Sequence, residues 1–280
     1  MNRSLVVALV VGLLQGVFEW LPVSSEGQVT LYLTVVEGVP ATTAARFSLF
    51  LHAGTALSAL AYYRGTVRGT LADAVGWRPT SRRPSGWRPT QALDWSPERR
   101  FLVAATLVSA LVGGAAYLAF DALVDAVTGG VFVALVGLAL VGTGLFQRFA
   151  GRAVERRTAP TLVDAVLVGS LQGVAVLPGV SRSGTTTGAL LLRGHDASES
   201  FRLSFLLSIP AAFGAGALVV LTEGVLALSP ASALVALAAS AVVGYLTIDA
   251  LVRVAERASF WWVCVGLGLL AVVGGLFVPA

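Results

Sequence analysis

Gly169-Ser170-Leu171-Gln172-Gly173-Val174-Ala175-Val176-Leu177-Pro178-Gly179-Val180-Ser181-Arg182-Ser183-Gly184 is the passage on which the fold turns. It lies within an apolar stretch, Leu162–Leu192, that is broken near its middle by Pro, Gly and Ser. Such a break leaves backbone groups unpaired, which hydrocarbon does not tolerate; the segment survives only when buried in protein or lining a wet cavity. The same construction stands near the start of the chain. Gly12-Leu13-Leu14-Gln15-Gly16-Val17 echoes Gly169–Val174, and Pro22-Val23-Ser24-Ser25-Glu26-Gly27 echoes Pro178–Gly184, inside a second broken stretch, Leu5–Val36. Both read as re-entrant helical hairpins.

Outward from these passages the chain is apolar. Of 280 residues, 56% are hydrophobic and 12% charged; a soluble domain carries about 25% charged residues. Charge this sparse cannot cover a water-facing surface, so the bilayer is the solvent. Six stretches reach the roughly 20 apolar residues a span requires: Ala44–Tyr63, Phe101–Phe120, Val131–Phe149, Phe201–Leu221, Ala231–Val252 and Phe260–Val278. The expected fold is an all-α polytopic membrane protein. It has six full transmembrane helices plus two re-entrant hairpins, arranged as two repeats over residues 1–150 and 151–280, each a hairpin followed by three spans. The first apolar stretch lacks a small-residue cleavage site and is read as retained.

All 19 basic residues are Arg, and they gather between apolar stretches. This is the pattern of orientation signals, not of a nucleic-acid-binding face. The Arg-rich loop 64–100, with Arg64, Arg68, Arg78, Arg82, Arg83, Arg88, Arg99 and Arg100, is placed in the cytoplasm, with Trp77–Trp95 an interfacial segment. Asp121, Asp125 and Glu223 fall outside; Arg148, Arg152, Arg156, Arg157, Arg193, Arg202, Arg253 and Arg257 fall inside. Three spans per repeat invert the second repeat against the first, so the hairpins enter from opposite faces and their tips meet near the midplane, where inverted-repeat transporters also bind.

Arg182 is the most informative residue, because an arginine deep in a bilayer costs at least ~2.5 kcal/mol and marks function. Ser181, Ser183, Gly184, Thr185 and Thr186 surround it with hydroxyls and the start of a helix, a receptor suited to phosphate. Gln15 and Glu19 are spaced i, i+4 and share a helix face. Three readings stand for Glu19: a divalent-cation ligand, a general base, or the ion-pair partner of Arg182. Ser24 and Ser25 stand at the first break, either as caps or as nucleophile and phosphate ligand. Glu26 is a first-turn acid. His195, beside Arg193 and Asp196, reads as a solvated turn residue, and His52 is ambiguous. The two histidines form no zinc signature, and the single Cys264 has no disulfide partner.

Taken together, Gln15-Gly16-Val17-Phe18-Glu19-Trp20-Leu21-Pro22-Val23-Ser24-Ser25-Glu26-Gly27-Gln28 and Pro178-Gly179-Val180-Ser181-Arg182-Ser183-Gly184-Thr185-Thr186 resemble the two motifs of the undecaprenyl-diphosphatase (bacitracin-resistance) family. The resemblance implies hydrolysis of a C55-type polyprenyl diphosphate to the monophosphate, recycling the lipid carrier of envelope glycans. It also implies a requirement for Mg²⁺ or Ca²⁺, a plasma-membrane location and a site open to the outer face. Carried across by position, Glu19 is the second acid of the paired-Glu motif and Ser25 a nucleophile. Arg182 is the diphosphate-binding arginine, flanked by Ser181 and Thr186. Gln15 replaces the first acid and Gln28 the family's common His; Glu26, at a position not usually acidic, is a candidate to restore the missing carboxylate. The expected catalytic residues are therefore Glu19, Ser25 and Arg182. The diphosphate-binding set is Ser24, Ser181, Arg182, Ser183, Gly184, Thr185 and Thr186. Glu19 is the expected metal ligand, with Gln15 and Glu26 as candidates to join it. Expected partners are the polyprenyl diphosphate, membrane lipids and a second copy of the chain, with no nucleic acid. A transporter or flippase of a polyprenyl phosphate on the same scaffold is the alternative. Lipid phosphatases with Ser-Gly-His motifs are set aside because no histidine lies near Arg182 or the Ser pairs in the sequence.

Overall fold

In the computed structural model, residues 3–74, 95–125, 127, 129–150, 157–223 and 229–278 are described. They form eleven helices, in chain order α1 (Arg3–Phe18), α2 (Ser25–Leu31), α3 (Ala41–Tyr62), α4 (Arg64–Ala74), α5 (Pro97–Asp125), α6 (Gly129–Ala150), α7 (Leu162–Val174), α8 (Arg182–Leu192), α9 (Ala197–Glu223), α10 (Pro230–Arg257) and α11 (Trp261–Gly275). A π-helical turn, Tyr32–Val36, continues α2. Each of the two broken stretches forms a pair of helices, α1–α2 and α7–α8.

Four helices are long and apolar enough to cross a membrane: Pro97–Phe120 within α5, α6, Ala197–Thr222 within α9, and α10. The molecule is a multi-pass membrane protein on that ground. The two remaining expected spans do not meet that test of length and hydropathy among the described residues. α3 has 22 residues, but Thr42, Thr43, Arg46, Ser48, His52, Thr55 and Ser58 dilute its apolar character. α11 has 15 residues, which at 1.5 Å per residue falls short of the ~30 Å hydrocarbon core. The loop expected over 64–100 is also partly helical, since Arg64–Ala74 forms α4 and Pro97–Arg100 the first turn of α5. Arg78, Arg82, Arg83 and Arg88 with the rest of 75–94, Arg152, Arg156, and the side chains of Asp121, Asp125 and Glu223 lie outside the described residues.

Polarity is distributed inside out relative to a soluble domain. Leu111 and Leu118 on α5, Leu221 on α9 and Leu246 on α10 are exposed, whereas Gln15, Glu19, Glu26, Gln172 and Thr186 are buried. Lipid solvates the first group; the second needs partners within the protein.

Packing relies on glycine where backbones meet. α1 lies against α10 and α7 against α5, and the echoed glycines sit at these crossings. A Cβ on Gly12 would lie 2.5 Å from Ala236 O, and one on Gly169 would lie 2.6 Å from Ala105 O. Burial alone gives no drive between helices in lipid, so this close approach supplies the packing energy. Gly169→Leu is therefore expected to destabilise by ~1–3 kcal/mol through overpacking. Gly142→Leu, whose Cβ meets nothing within 4 Å, should stay within about 0.5 kcal/mol. Equal thermal midpoints for the two in detergent would remove this role for Gly169.

Candidate active site

The site is assembled from the two hairpin tips. α1 ends at Phe18, but Glu19 N–H still donates to Gln15 O at 3.1 Å, which keeps Glu19 one turn above Gln15. The chain then turns through Leu21–Val23 into Ser24, the one non-glycine residue at positive φ among those described (φ 60°). Ser24 caps α2, its Oγ accepting from Gly27 N–H at 3.2 Å. A left-handed serine is a strained choice of the kind that clusters at functional sites. In the second hairpin Ser181 plays the matching part, capping α8 by accepting from Gly184 N–H at 3.2 Å. Ser25 and Arg182 are thus the first helical residues after equivalent breaks.

Neighbouring helices lock the tips together. Ser183 Oγ donates to Leu21 O at 3.2 Å. Gln147 Nε2 from α6 and Cys264 Sγ from α11 both donate to Pro22 O, at 2.7 and 3.0 Å. Thr143 from α6 donates to Gly179 O and accepts from Ser181 N–H, each at 3.3 Å. Trp20 Nε1 reaches Gly244 O on α10 at 3.1 Å, its ring edge-on to Phe205.

Glu19 is the hub. Its Oε1 pairs with Arg182 Nη2, joining residues 163 apart in sequence. Its Oε2 accepts from Gln15 Nε2 at 2.8 Å and from Ser25 Oγ at 2.9 Å, and lies 3.4 Å from His52 Nε2. The Arg182 guanidinium also lies over the Phe205 ring, 5.8 Å from its centroid. Of the three readings of Glu19, the resting structure contains the ion pair, and the Ser25 contact has the geometry of a nucleophile beside its base.

A small polar cavity of about 20 Å³, room for a water, lies among Glu19, Ser24, Ser25, Glu26, His52, Ser181, Arg182 and Ser183. The other expected phosphate ligands lie elsewhere. Gly184 faces a separate cleft beside Gln147 and Trp261. Thr185 Oγ1 donates to Ser181 O at 2.9 Å; Thr186 Oγ1 donates to Arg182 O at 2.8 Å and is 2.6 Å from Ser204 Oγ on α9. Both threonines therefore brace the start of α8. Gln28 turns away from the cavity, its Nε2 donating to Val23 O at 3.3 Å, and lines an apolar cleft with Leu14 and Phe18.

His195 differs from its sequence reading, and His52, ambiguous in sequence, is given a place by the structure. His52 lies on α3 far from either motif, yet it reaches the cavity. Its Nδ1 is 2.9 Å from Ser48 O, which only accepts, so Nδ1 carries the proton and Nε2 faces Glu19. A histidine does stand beside Arg182 in space, although no Ser-Gly-His motif exists. The signal was Ser48, His52 and Thr55 at helical spacing inside an otherwise apolar stretch. His195 is buried, not solvated: its Nε2 is 3.3 Å from Asp164 Oδ2, and Arg193 Nε donates to Asp164 Oδ1 at 2.6 Å. Asp164 completes a capping box with Thr161, so this cluster closes the start of α7.

The donor chemistry of the cavity suits a hard cation. Glu26 Oε1, on the cavity wall, is a buried oxygen acceptor with no hydrogen-bond donor, as is Gln15 Oε1, which lies one helical turn below Glu19 and outside the cavity lining. Among the described residues no three His, Cys, Asp or Glu side chains form a metal cluster. Mg²⁺ needs none, since one or two carboxylates plus substrate phosphates suffice.

Known proteins resemble the whole chain. A curated undecaprenyl-diphosphatase of Haloarcula marismortui is 54% identical over 277 residues, 99% of each chain. Those of Methanothrix thermoacetophila and Methanococcoides burtonii are each 37% identical, covering 94% and 96% of this chain and 94% and 98% of their own. The model of the family described as bacitracin resistance protein BacA matches residues 8–270, taking in both hairpin tips and the Glu19–Arg182 pair between them. The chain belongs to the BacA family.

Proposed function

We infer that the chain is a multi-pass phosphatase of the plasma membrane. It hydrolyses undecaprenyl diphosphate, or a similar polyprenyl diphosphate, to the monophosphate and inorganic phosphate, and so recycles the lipid carrier for envelope glycan synthesis. The observation that carries this reading is Arg182 at the head of α8, partly buried in a cavity lined by four serines and paired with an acid from the other broken helix pair.

At rest Arg182 and Glu19 neutralise each other. An entering diphosphate competes for the guanidinium; Ser24 and Ser181, whose hydroxyls accept from Gly27 and Gly184 N–H, offer further donors, and Ser183 joins them by giving up its bond to Leu21 O. Freed from Arg182, Glu19 remains hydrogen-bonded to Ser25. Ser25 Oγ attacks the terminal phosphorus, and its proton passes to Glu19. The bond from that phosphorus to the bridging oxygen breaks, and polyprenyl monophosphate leaves with the electron pair. Water then cleaves the phosphoserine, giving inorganic phosphate and restoring Ser25. Fixed charge around the transferring phosphoryl group supplies most of the acceleration. Glu19, with Gln15 and Glu26, would hold a Mg²⁺ or Ca²⁺ ion, which contributes charge neutralisation on the diphosphate.

The topology proposed with this activity has six crossings and two re-entrant hairpins, in repeats 1–150 and 151–280 of opposite orientation. In its favour, α1 on α10 and α7 on α5 exchange places under the repeat. Arg148 and Arg257 line one cleft, so their helix ends share a face, assigned to the cytoplasm. The active site then opens to the outer face.

The test is phosphate release from a polyprenyl diphosphate by purified protein with and without Mg²⁺ or Ca²⁺, beside Ser25→Ala. Metal-dependent release is expected, with loss of at least ~10²-fold in the variant. In right-side-out vesicles the phosphate should appear outside. Folded wild-type protein that releases none would overturn the assignment, and an active Ser25→Ala would move the attack to water.

A further inference from the structure

The polar cavity does not end at Arg182. It shares Glu26, His52, Ala175 and Arg182 with a neck of about 60 Å³. Through Leu49, Gln172, Val176, Ala211 and Ala215 the neck joins a chamber of about 290 Å³ between α3, α5, α7 and α9. That chamber is walled mainly by Ala, Gly, Val and Leu. Most of its polar groups are turned to the protein: Thr106 Oγ1 donates to Leu102 O, Tyr117 Oη bonds Thr222, and Gln172 Nε2 donates to Ser109 Oγ and Leu207 O, while Gln172 Oε1, where neck and chamber join, accepts no hydrogen bond. Gly214, exposed on α9, forms part of the wall, so the chamber also opens toward lipid.

We propose that this chamber receives the first isoprene units of the substrate tail while the diphosphate sits at Arg182, a proposal that rests on the polyprenyl diphosphate reading above. The ligand it fits is an amphiphile whose charged head and branched hydrocarbon are adjoining, which is what the cavity, neck and chamber offer in that order. Its volume is at the lower end of the ~300–1,000 Å³ typical of ligand pockets, so only the part of the tail nearest the head is enclosed. The rest passes the Gly214 opening into the bilayer.

Two other clefts compete for the tail. The apolar one of about 430 Å³ beside Gln28, Leu14 and Leu267 shares no lining residue with the polar cavity. The one of about 450 Å³ near Trp261 touches the cavity at Ser183 but is lined by Gln147, Arg148, Glu256 and Arg257. The first shares no wall with the phosphate site, and the second, although Leu191, Phe201, Phe260 and Trp261 also line it, carries charged side chains where the chamber has none.

Glycine supplies the test. Gly114 and Gly214 both line the chamber, and a Cβ on either meets nothing within 4 Å, so larger side chains fill space there without displacing backbone. Gly142, equally unhindered, lies on α6 away from the chamber. Gly114→Phe, Gly214→Phe and Gly142→Phe are assayed with a C55 diphosphate and with isopentenyl diphosphate, whose five carbons are too few to fill the chamber. The ratio of kcat/KM for the long over the short substrate should fall at least tenfold in the first two variants and hold in Gly142→Phe. A ratio that holds in both chamber variants overturns the proposal while leaving the phosphatase intact. Wild-type protein inactive on the C55 diphosphate overturns the underlying function instead. Should Phe impair folding, a benzophenone-bearing farnesyl diphosphate decides the matter on wild-type protein. Crosslinks to Ala211–Leu218 support the chamber, and crosslinks confined to Leu267–Gly274 refute it.

Discussion

Arg182→Ala is expected to lower kcat/KM for a polyprenyl diphosphate by roughly 10³-fold or more, the scale on which a phosphate-clamping arginine acts. The loss should appear in KM and kcat together, because Arg182 meets the diphosphate in the ground state and its growing charge in transfer. Arg182→Lys should recover only part, since an ammonium lacks the planar fork that engages two oxygens. Stability separates the chemical role from the structural one. Removing one partner of a buried ion pair costs ~3–5 kcal/mol when the other charge is stranded. Glu19 keeps Gln15, Ser25 and His52, so the cost should fall at or below that range. The double variant Arg182→Ala/Glu19→Ala should regain thermal stability in detergent without regaining activity. Near-normal turnover in Arg182→Ala would refute the site as described.

Glu19→Gln should behave differently. The amide keeps the hydrogen-bonding shape but takes no proton from Ser25, so kcat should fall by about 10²–10⁴-fold, the usual contribution of a general base. KM should stay level or fall, because the variant no longer offers a carboxylate that competes with diphosphate for Arg182. The opposite split, a raised KM with kcat intact, would reduce Glu19 to a holder of the arginine. Steady-state kinetics on the two single variants thus assign the roles on either side of one contact.

Much of this was legible in the sequence because lipid is a strict solvent. Pro, Gly and Ser within apolar stretches announce breaks that must be buried, and an Arg and a Glu at such breaks have few other places to go. The alignment of Gln15 with Glu19 followed from helical period, while the pairing of Glu19 with Arg182 stood as one of three readings of that acid. What stayed hidden depends on which way a side chain faces. His52 looked like a lone polar residue in an apolar stretch until the rotation of α3 brought it to the cavity. Gln28 and Thr186 stand within the motifs but turn from the cavity, because local hydrogen bonds to Val23 O and Arg182 O claim them. His195 read as solvated because its neighbours are charged, yet Asp164, 31 residues earlier, draws it inward. The shortness of α11 was invisible because apolar residues continue beyond its last helical turn.

The 163 residues that separate Glu19 from Arg182 have a meaning for biogenesis. A ribosome adding ~5–20 residues per second takes roughly 8–33 s to cover that distance. Throughout that interval the nascent first hairpin carries its acid with the guanidinium not yet made. Gln15, Ser25 and His52, the other groups that surround the carboxylate, are all synthesised early. The acid is thus held at first by groups of its own half of the chain, and the arginine arrives as the last piece to close the site.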